Sequence, residues 1–178
     1  MQWLEAPVLP KAIDAARILC VDDEPNILIG LQGVLHKKCV FLSASSGEEA
    51  LRLIARSVHI DVIVSDMRMP EMNGATLLAE CRKRSPDTVR MLLTGHADVE
   101  SAISAVNDGQ VFRFLTKPCP PPLFLEAVVA AVEKGRLAAS ERELLERTVA
   151  GSVRALAEVI ELVHPGTLGC VSSSALEK

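Results

Sequence analysis

The chain has 178 residues, of which 49% are hydrophobic and 24% are charged, a composition typical of a folded domain with a full core. Its formal net charge of −4 gives no general attraction to nucleic acid or to anionic membranes, so direct binding of nucleic acid is disfavoured. No apolar run approaches the roughly 20 residues that span a bilayer, so no membrane segment is expected.

The N-terminal residues and the cysteines both favour a cytoplasmic location. Residues 1–15 contain two prolines and no apolar h-region, so we predict an N-terminal arm rather than a secretory signal. The cysteines are odd in number, widely spaced and without a C-x-x-C pair, which fits reduced thiols better than a zinc site or disulfides. They are Cys20, Cys39, Cys81, Cys119 and Cys170.

The first two predicted strands are short apolar runs, each followed by a helix signal. Arg17–Val21 is closed by two aspartates, and Pro25 then suits the first turn of a helix. Val40–Ala44 is followed by Ser46 and Glu49, which have the S-x-x-E spacing of a capping box. These segments therefore predict two consecutive β-α units.

The third and fourth strands continue the alternation. Val62, Ile63 and Val64 form a β-branched run that predicts a strand buried on both faces, and the run stops at Asp66. Asn73-Gly74 predicts a turn before a helix that ends near Pro86, and 89–93 predict the next strand.

The last β-α units lie between residues 95 and 135. Val99, Ile103 and Val106 have the spacing of a helix, and 111–115 predict a fifth strand. Pro120 to Pro122 precede a further helix, whose predicted apolar face consists of Phe124, Leu125, Val128, Val129 and Val132.

Residues 136–165 predict a helical linker that resembles a coiled coil, and 166–178 a flexible tail. The apolar residues of the linker are spaced alternately four and three positions apart over two heptads, which favours pairing with a second copy of the chain. Packing of the same stripe against the preceding domain is the alternative. With five basic and six acidic residues between 136 and 178, the segment does not look like a DNA-binding module. The stripe consists of Val149, Val153, Leu156, Ile160 and Val163.

Five strands alternating with five helices predict an α/β fold with a doubly wound parallel sheet. All strand carboxyl ends then lie at one edge, where such sheets bind ligands. Four of these ends carry residues suited to chemistry: Asp22, Asp23, Asp66, Thr94 and Lys117.

This group of residues requires a cation. Two unit charges about 5 Å apart repel by roughly 3 kcal/mol at an effective dielectric constant of ~20. Lys117 supplies one positive charge, and clustered carboxylates with room for water suit Mg²⁺. An aspartate beside such an ion can act as a nucleophile toward a phosphoryl group. Each residue also has an ordinary explanation: Asp23 and Thr94 could cap helices, and Lys117 could be a solvated loop cation.

Four motifs make residues 16–135 resemble the receiver domain of two-component response regulators. The resemblance implies a flavodoxin-like five-stranded sheet of order 2-1-3-4-5 with a C-terminal helical extension. It also implies a phosphoacceptor rather than an enzyme that turns over other substrates. Such a domain would at most phosphorylate itself from small donors and remove its own phosphoryl group. The motifs are VDDEP at Val21–Pro25, DMRMPEMNG at Asp66–Gly74, LTGHAD at Leu93–Asp98 and FLTKP at Phe114–Pro118.

By this resemblance, Asp66 accepts a phosphoryl group from a sensor histidine kinase. Asp23 and Asp66 would bind Mg²⁺ directly, Asp22 through water, and the backbone carbonyl of Arg68 would be a further ligand. Lys117 would pair with the phosphoryl group.

The resemblance also implies a cis bond between Lys117 and Pro118 and a switch pair of Thr94 and Phe114. The family often has a tyrosine or another aromatic residue at this second position, and the present chain contains no tyrosine at all. Phosphorylation would change the face formed by the fourth predicted helix, the fifth strand and the fifth predicted helix, and so control an output domain or partner.

Other interpretations of this sequence remain open. An Asp-nucleophile phosphatase usually has a second aspartate two residues after the nucleophile, where this chain has Arg68. A flavodoxin-like nucleotide or flavin binder would need a glycine-rich loop after the first strand, which is missing. A receiver that serves only as a dimerising scaffold would not need the full set of acidic residues. The segment 148–163 is similar to connectors that precede HD-type phosphohydrolase outputs in some response regulators, although the chain contains no His-Asp pair.

Overall fold

The protein forms a five-stranded parallel sheet in the order β2-β1-β3-β4-β5, as the sequence predicts. The structure is a computed structural model that describes residues 13, 15–56, 59–95 and 111–163. Each step in strand order is a parallel pairing with continuous register, for example Ile18 with Val62 and Val62 with Val89. The strands are β1 (Arg17–Val21), β2 (Val40–Ala44), β3 (Val62–Asp66), β4 (Val89–Thr94) and β5 (Arg113–Thr116).

Four helices lie in the described part of the chain. The helix predicted around Val99, Ile103 and Val106 lies outside the described residues. The helices are α1 (Pro25–Leu35), α2 (Gly47–Ala55), α3 (Gly74–Arg84) and a C-terminal helix (Pro121–Val163).

Two apolar cores lie on the two faces of the sheet, because successive side chains of a strand point to opposite faces. Cys20 and Val64 belong to the core that α1 and the start of the C-terminal helix cover. Leu19 and Ile63 belong to the core beneath α2 and α3, which also contains Cys81. All five residues of β3 are buried, so the strand that ends at Asp66 is the centre of the domain.

Several predicted boundaries differ from the structure. Asn73-Gly74 is the start of α3 rather than a separate turn, since the Asn73 side chain accepts a hydrogen bond from the backbone N–H of Thr76 at 2.8 Å. Strand β5 begins at Arg113, two residues later than predicted. The C-terminal helix begins within the proline cluster, at Pro121, because proline fits the first turn of a helix.

The chain divides into two compact units, with the boundary between Ala138 and Ala139. The first unit contains the sheet and both cores, and the second contains the later part of the C-terminal helix. In the described part of the chain, no helix is both long enough and apolar enough to cross a membrane.

Candidate functional site

The carboxyl ends of the strands gather the predicted site residues at one edge of the sheet. Asp66 is the last residue of β3, and Thr94 is the last residue of β4. Asp22 follows β1 directly, and Lys117 follows β5 directly. Because all strands are parallel, residues that are 95 positions apart in sequence, Asp22 and Lys117, come into contact here.

Lys117 bridges two carboxylates from different strands. Its Nζ atom lies 2.6 Å from Oδ1 of Asp66 and 2.8 Å from Oδ2 of Asp22. The side chains of Asp66 and Asp22 are only 9% and 1% exposed, and that of Lys117 is 24% exposed. The alternative that Lys117 is a solvated loop cation is therefore wrong. Both carboxylates have lost most of their water, and the lysine replaces it.

The pKa of Lys117 reflects this pairing. Partial burial lowers the pKa, but the hydrogen bonds that Lys117 donates to Asp22 and Asp66, together with their charges, outweigh burial and raise the pKa above its ordinary value. The ammonium group is thus held in its charged form at the site.

Backbone groups fix the remaining oxygens of the two carboxylates. The N–H of Glu24 donates to Oδ1 of Asp22 at 3.0 Å, and the N–H of Arg68 donates to Oδ2 of Asp66 at 2.9 Å. The N–H of Lys117 donates to the carbonyl of Thr94 at 2.8 Å, and the peptide bond between Lys117 and Pro118 is cis. Each carboxylate therefore has a defined orientation at the edge of the sheet.

The other predicted residues lie on or directly after the same strands. Thr94 is fully buried, and its hydroxyl donates to the carbonyl of Gly95 at 3.1 Å. Phe114 is half-buried and packs against the core beneath α2 and α3. Asp23 follows Asp22 in the sequence and is exposed. The carboxylates that contact Lys117 are those of Asp22 and Asp66 rather than that of Asp23.

The donor set fits a hard divalent cation. Within the described residues, no group of three or more histidine, cysteine, aspartate or glutamate side chains is assembled to hold a metal ion. Mg²⁺ does not require such a cage, because it typically uses one or two carboxylates and keeps several waters. Two carboxylates share one lysine here, so they retain a net negative charge that a cation would offset.

Gly74 is also part of the site, although the sequence pattern predicted only a turn at Asn73-Gly74. A methyl group on its Cα would overlap with the backbone carbonyl oxygen of Asp66. Its N–H donates to the carbonyl of Met67 at 3.0 Å. The start of α3 thus packs directly on the backbone of Asp66. The Asn-Gly pair was the available signal, since a glycine inside an apolar α/β unit can mark close backbone approach.

Comparisons with known proteins agree with this geometry. The family model for the response regulator receiver domain matches residues 18–129. The transcriptional regulatory protein GlrR of Escherichia coli (strain K12) is 38% identical over 129 residues, which are 71% of this chain and 28% of GlrR. The present chain thus spans less than a third of the length of that relative.

Solved structures share the fold, and one of them is a signal receiver domain. The crystal structure of adenylate cyclase from Rhodopirellula baltica aligns with a TM-score of 0.73 and 41% identity, covering 75% of this chain and 98% of that one. The signal receiver domain of an HD domain-containing protein from Pseudomonas fluorescens Pf-5 aligns with a TM-score of 0.65 and 35% identity, covering 69% of this chain and 98% of that one.

The fold and the paired carboxylates at its edge define a receiver-type signalling domain. The chain belongs to the response regulator receiver domain family, the phosphoacceptor signalling domains of two-component systems.

Proposed function

We propose that this chain is a phosphorylation-controlled switch whose phosphoacceptor is Asp66. The observation that carries the proposal is the contact of Lys117 Nζ with both Asp66 and Asp22. A cation fixed at this point is positioned to neutralise the charge on a phosphoryl group that becomes attached to Asp66.

The proposed donor is the phosphohistidine of a sensor histidine kinase. A carboxylate oxygen of Asp66 forms the new P–O bond while the P–N bond to the imidazole breaks, and the imidazole leaves with the electron pair. Asp22, Asp23, Asp66 and the backbone carbonyl of Arg68 are the proposed holders of Mg²⁺, which when bound offsets the charge on the phosphoryl oxygens. The backbone N–H of Arg68 holds Oδ2 of Asp66 in place.

The proposed switch starts from the charge of the new group. An aspartyl phosphate carries about −1.5 to −2 units of charge and three acceptor oxygens, in place of the single negative charge of the Asp66 carboxylate. Thr94 ends the strand between Asp66 and Lys117, so its hydroxyl can exchange the Gly95 carbonyl for a phosphoryl oxygen. Phe114, on the neighbouring strand, is the proposed second member of the pair. A complete swing from inactive to active would need ~5.5 kcal/mol of differential stabilisation.

Labelling by a small phosphodonor tests the phosphoacceptor. Asp66→Asn should abolish Mg²⁺-dependent labelling, because the amide is a poor nucleophile. Asp61→Asn is the matched control, since Asp61 directly precedes the same strand at its other end. The control should label as the wild type does. Undiminished labelling of Asp66→Asn would overturn the assignment.

We further propose that residues 136–165 pair two copies of the chain. Val149 and Val153 are each 61% exposed, and they occupy successive positions of the two-heptad stripe. Multi-angle light scattering should show that Val149→Glu with Val153→Glu lowers the mass to that of a monomer. Thr148→Glu, an exposed position beside the stripe, is the control and should leave the dimer intact. A wild-type chain that is monomeric at high concentration would contradict this part of the proposal.

The proposed partners are therefore a histidine kinase, a second copy of the chain and an output domain or target protein. Cys20, Cys39, Cys81 and Cys119 are free thiols, which supports the proposed cytoplasmic location. The relation to the Pseudomonas receiver from an HD domain-containing protein supports an HD-type output in a longer regulator.

A further inference from the structure

The loop from residue 67 to residue 73 joins Asp66 to α3 and contains an unusual turn. The N–H of Met72 donates to the carbonyl of Pro70 at 2.6 Å, which closes a three-residue turn around Glu71. Glu71 has a φ of 65°, a value that residues with side chains rarely adopt. Such a conformation persists only where neighbouring contacts hold it.

Met72 supplies such a contact by packing on the first residue of α2. A methyl group on the Cα of Gly47 would lie 2.8 Å from Sδ of Met72 and 3.1 Å from its Cβ and Cγ. The φ of Gly47 is not positive, so the backbone itself would accept alanine. A side chain at this position would displace Met72, because the side chain of Met72 occupies the space.

The surface beneath Met72 is firmly held. Ser46 caps α2, with its hydroxyl accepting a hydrogen bond from the N–H of Glu49 at 3.2 Å. The carboxylate of Glu49 accepts hydrogen bonds from the N–H and the hydroxyl of Ser45, at 2.7 and 2.9 Å. The start of α2 is therefore a fixed support, and Met72 rests on it.

We infer that the packing of Met72 on Gly47 positions the loop that carries Arg68, and through it the carboxylate of Asp66. Arg68 lies between the buried side chains of Met67 and Met69, and its N–H holds Oδ2 of Asp66. Displacing Met72 would release the far end of this loop. Met72 and Gly47 are thus positioning residues, and this inference rests on the function proposed above.

A double-mutant cycle tests the contact. Gly47→Ala should weaken Mg²⁺ binding at least fivefold, measured by calorimetric titration without a phosphodonor, and should slow labelling by a small phosphodonor to a similar extent. In the Met72→Ala background, the same Gly47→Ala change should alter the Mg²⁺ dissociation constant less than twofold, since the Sδ and Cγ atoms that the new methyl group would meet are then gone and only the Cβ atom of residue 72 remains, at 3.1 Å. Thermal unfolding of all four proteins establishes that each is folded.

Gly33→Ala in α1 is the matched control, because a methyl group there would have no atom within 4 Å. It should leave Mg²⁺ affinity and labelling unchanged.

Two outcomes would overturn the inference. In one, Gly47→Ala lowers the melting temperature but leaves Mg²⁺ affinity unchanged. In the other, the effect of Gly47→Ala on Mg²⁺ affinity is equally large in the Met72→Ala background. If the wild-type chain itself neither binds Mg²⁺ nor labels, the proposed function fails, and the inference fails with it. A wild type that binds and labels normally separates the two cases.

Discussion

Lys117 reaches past the end of β4 to contact Asp66, the last residue of β3, with 2.6 Å between Nζ and Oδ1. Neighbouring strands lie about 4.8 Å apart, so the long lysine side chain spans a distance that no shorter cation could. Thr94 is the last residue of β4, and its backbone carbonyl accepts a hydrogen bond from the N–H of Lys117. This relationship brings the cation and the proposed phosphoacceptor together beside the end of the strand that carries Thr94.

Lys117→Met should lower the free energy of unfolding by about 2 kcal/mol. The change leaves two desolvated carboxylates without their cation, but the partial exposure of Lys117 reduces the cost below the 3 to 5 kcal/mol of a fully buried pair. Urea unfolding measures the loss, and Mg²⁺ should restore part of it. Lys83→Met is the control, since its ion pair with Glu80 is at the surface and should cost less than about 1 kcal/mol. Equal losses in the two variants would contradict the prediction.

Gly74→Ala should destabilise the protein by about 3 kcal/mol, because the new methyl group would meet the carbonyl oxygen of Asp66 and force the backbone of α3 away. Phosphodonor labelling should fall as well, since Asp66 moves with its carbonyl. Gly33→Ala, in open space, should instead stabilise the protein by about 0.5 to 1 kcal/mol. Denaturant unfolding of both variants checks the contrast, and a stable Gly74→Ala would show that the close approach is dispensable.

The cap of α2 should respond to acid through Glu49. The pKa of Glu49 is lowered in the folded state by the hydrogen bond from the backbone N–H of Ser45 and, to a smaller extent, by the one from the Ser45 hydroxyl. A lowered folded pKa means that the stabilisation is present above the unfolded value of about 4.3 and is lost as the pH falls through the folded pKa.

The free energy of unfolding of the wild type should therefore exceed that of Glu49→Gln at pH 6 by a few tenths of a kcal/mol, an amount limited by solvent screening. The difference should shrink below pH 4. Urea titrations at both values measure it, and a difference that grows on acidification would exclude this role for Glu49.

Thr94→Val should separate phosphorylation from the response to it. Valine keeps the shape of the buried threonine but removes the hydroxyl, so Asp66 should still label at a rate near that of the wild type. The phosphorylated variant should show a much smaller change in amide hydrogen exchange at β5 than the phosphorylated wild type. A full exchange response in Thr94→Val would remove the hydroxyl from the switch.

Much of the fold could be predicted from local patterns, because strands and caps leave short-range signals. The apolar runs predicted β1 and β2 with the bounds that the structure has. Ser46 caps α2, as the S-x-x-E spacing predicts. The carboxylate of Glu49 bonds to Ser45 rather than closing the box on Ser46. Strand β5 begins two residues later than predicted. The apolar residues begin ahead of the strand, whereas its pairing with β4 begins only at Arg113.

Contacts between distant segments were harder to predict. The resemblance to receivers pointed to Lys117, Asp22 and Asp66 as a group, but spacing alone could not show that one ammonium bridges both carboxylates. The packing of Met72 on Gly47 left no local signal, since the two residues belong to different β-α units. Glycine at the start of a helix is common for other reasons, so only the folded chain shows what occupies its space.

Two buried cysteines, Cys20 and Cys81, offer a way to follow each face of the sheet separately. Burial raises the pKa of Cys81 to about 11, and burial raises that of Cys20 still further above its ordinary value. Alkylating reagents attack the thiolate, so neither sulfur reacts until its own side of the molecule opens. Because Cys20 lies in β1 in the core that α1 covers, and Cys81 lies on the buried face of α3 in the other core, the two thiols report separately on the opening of the two faces of the sheet.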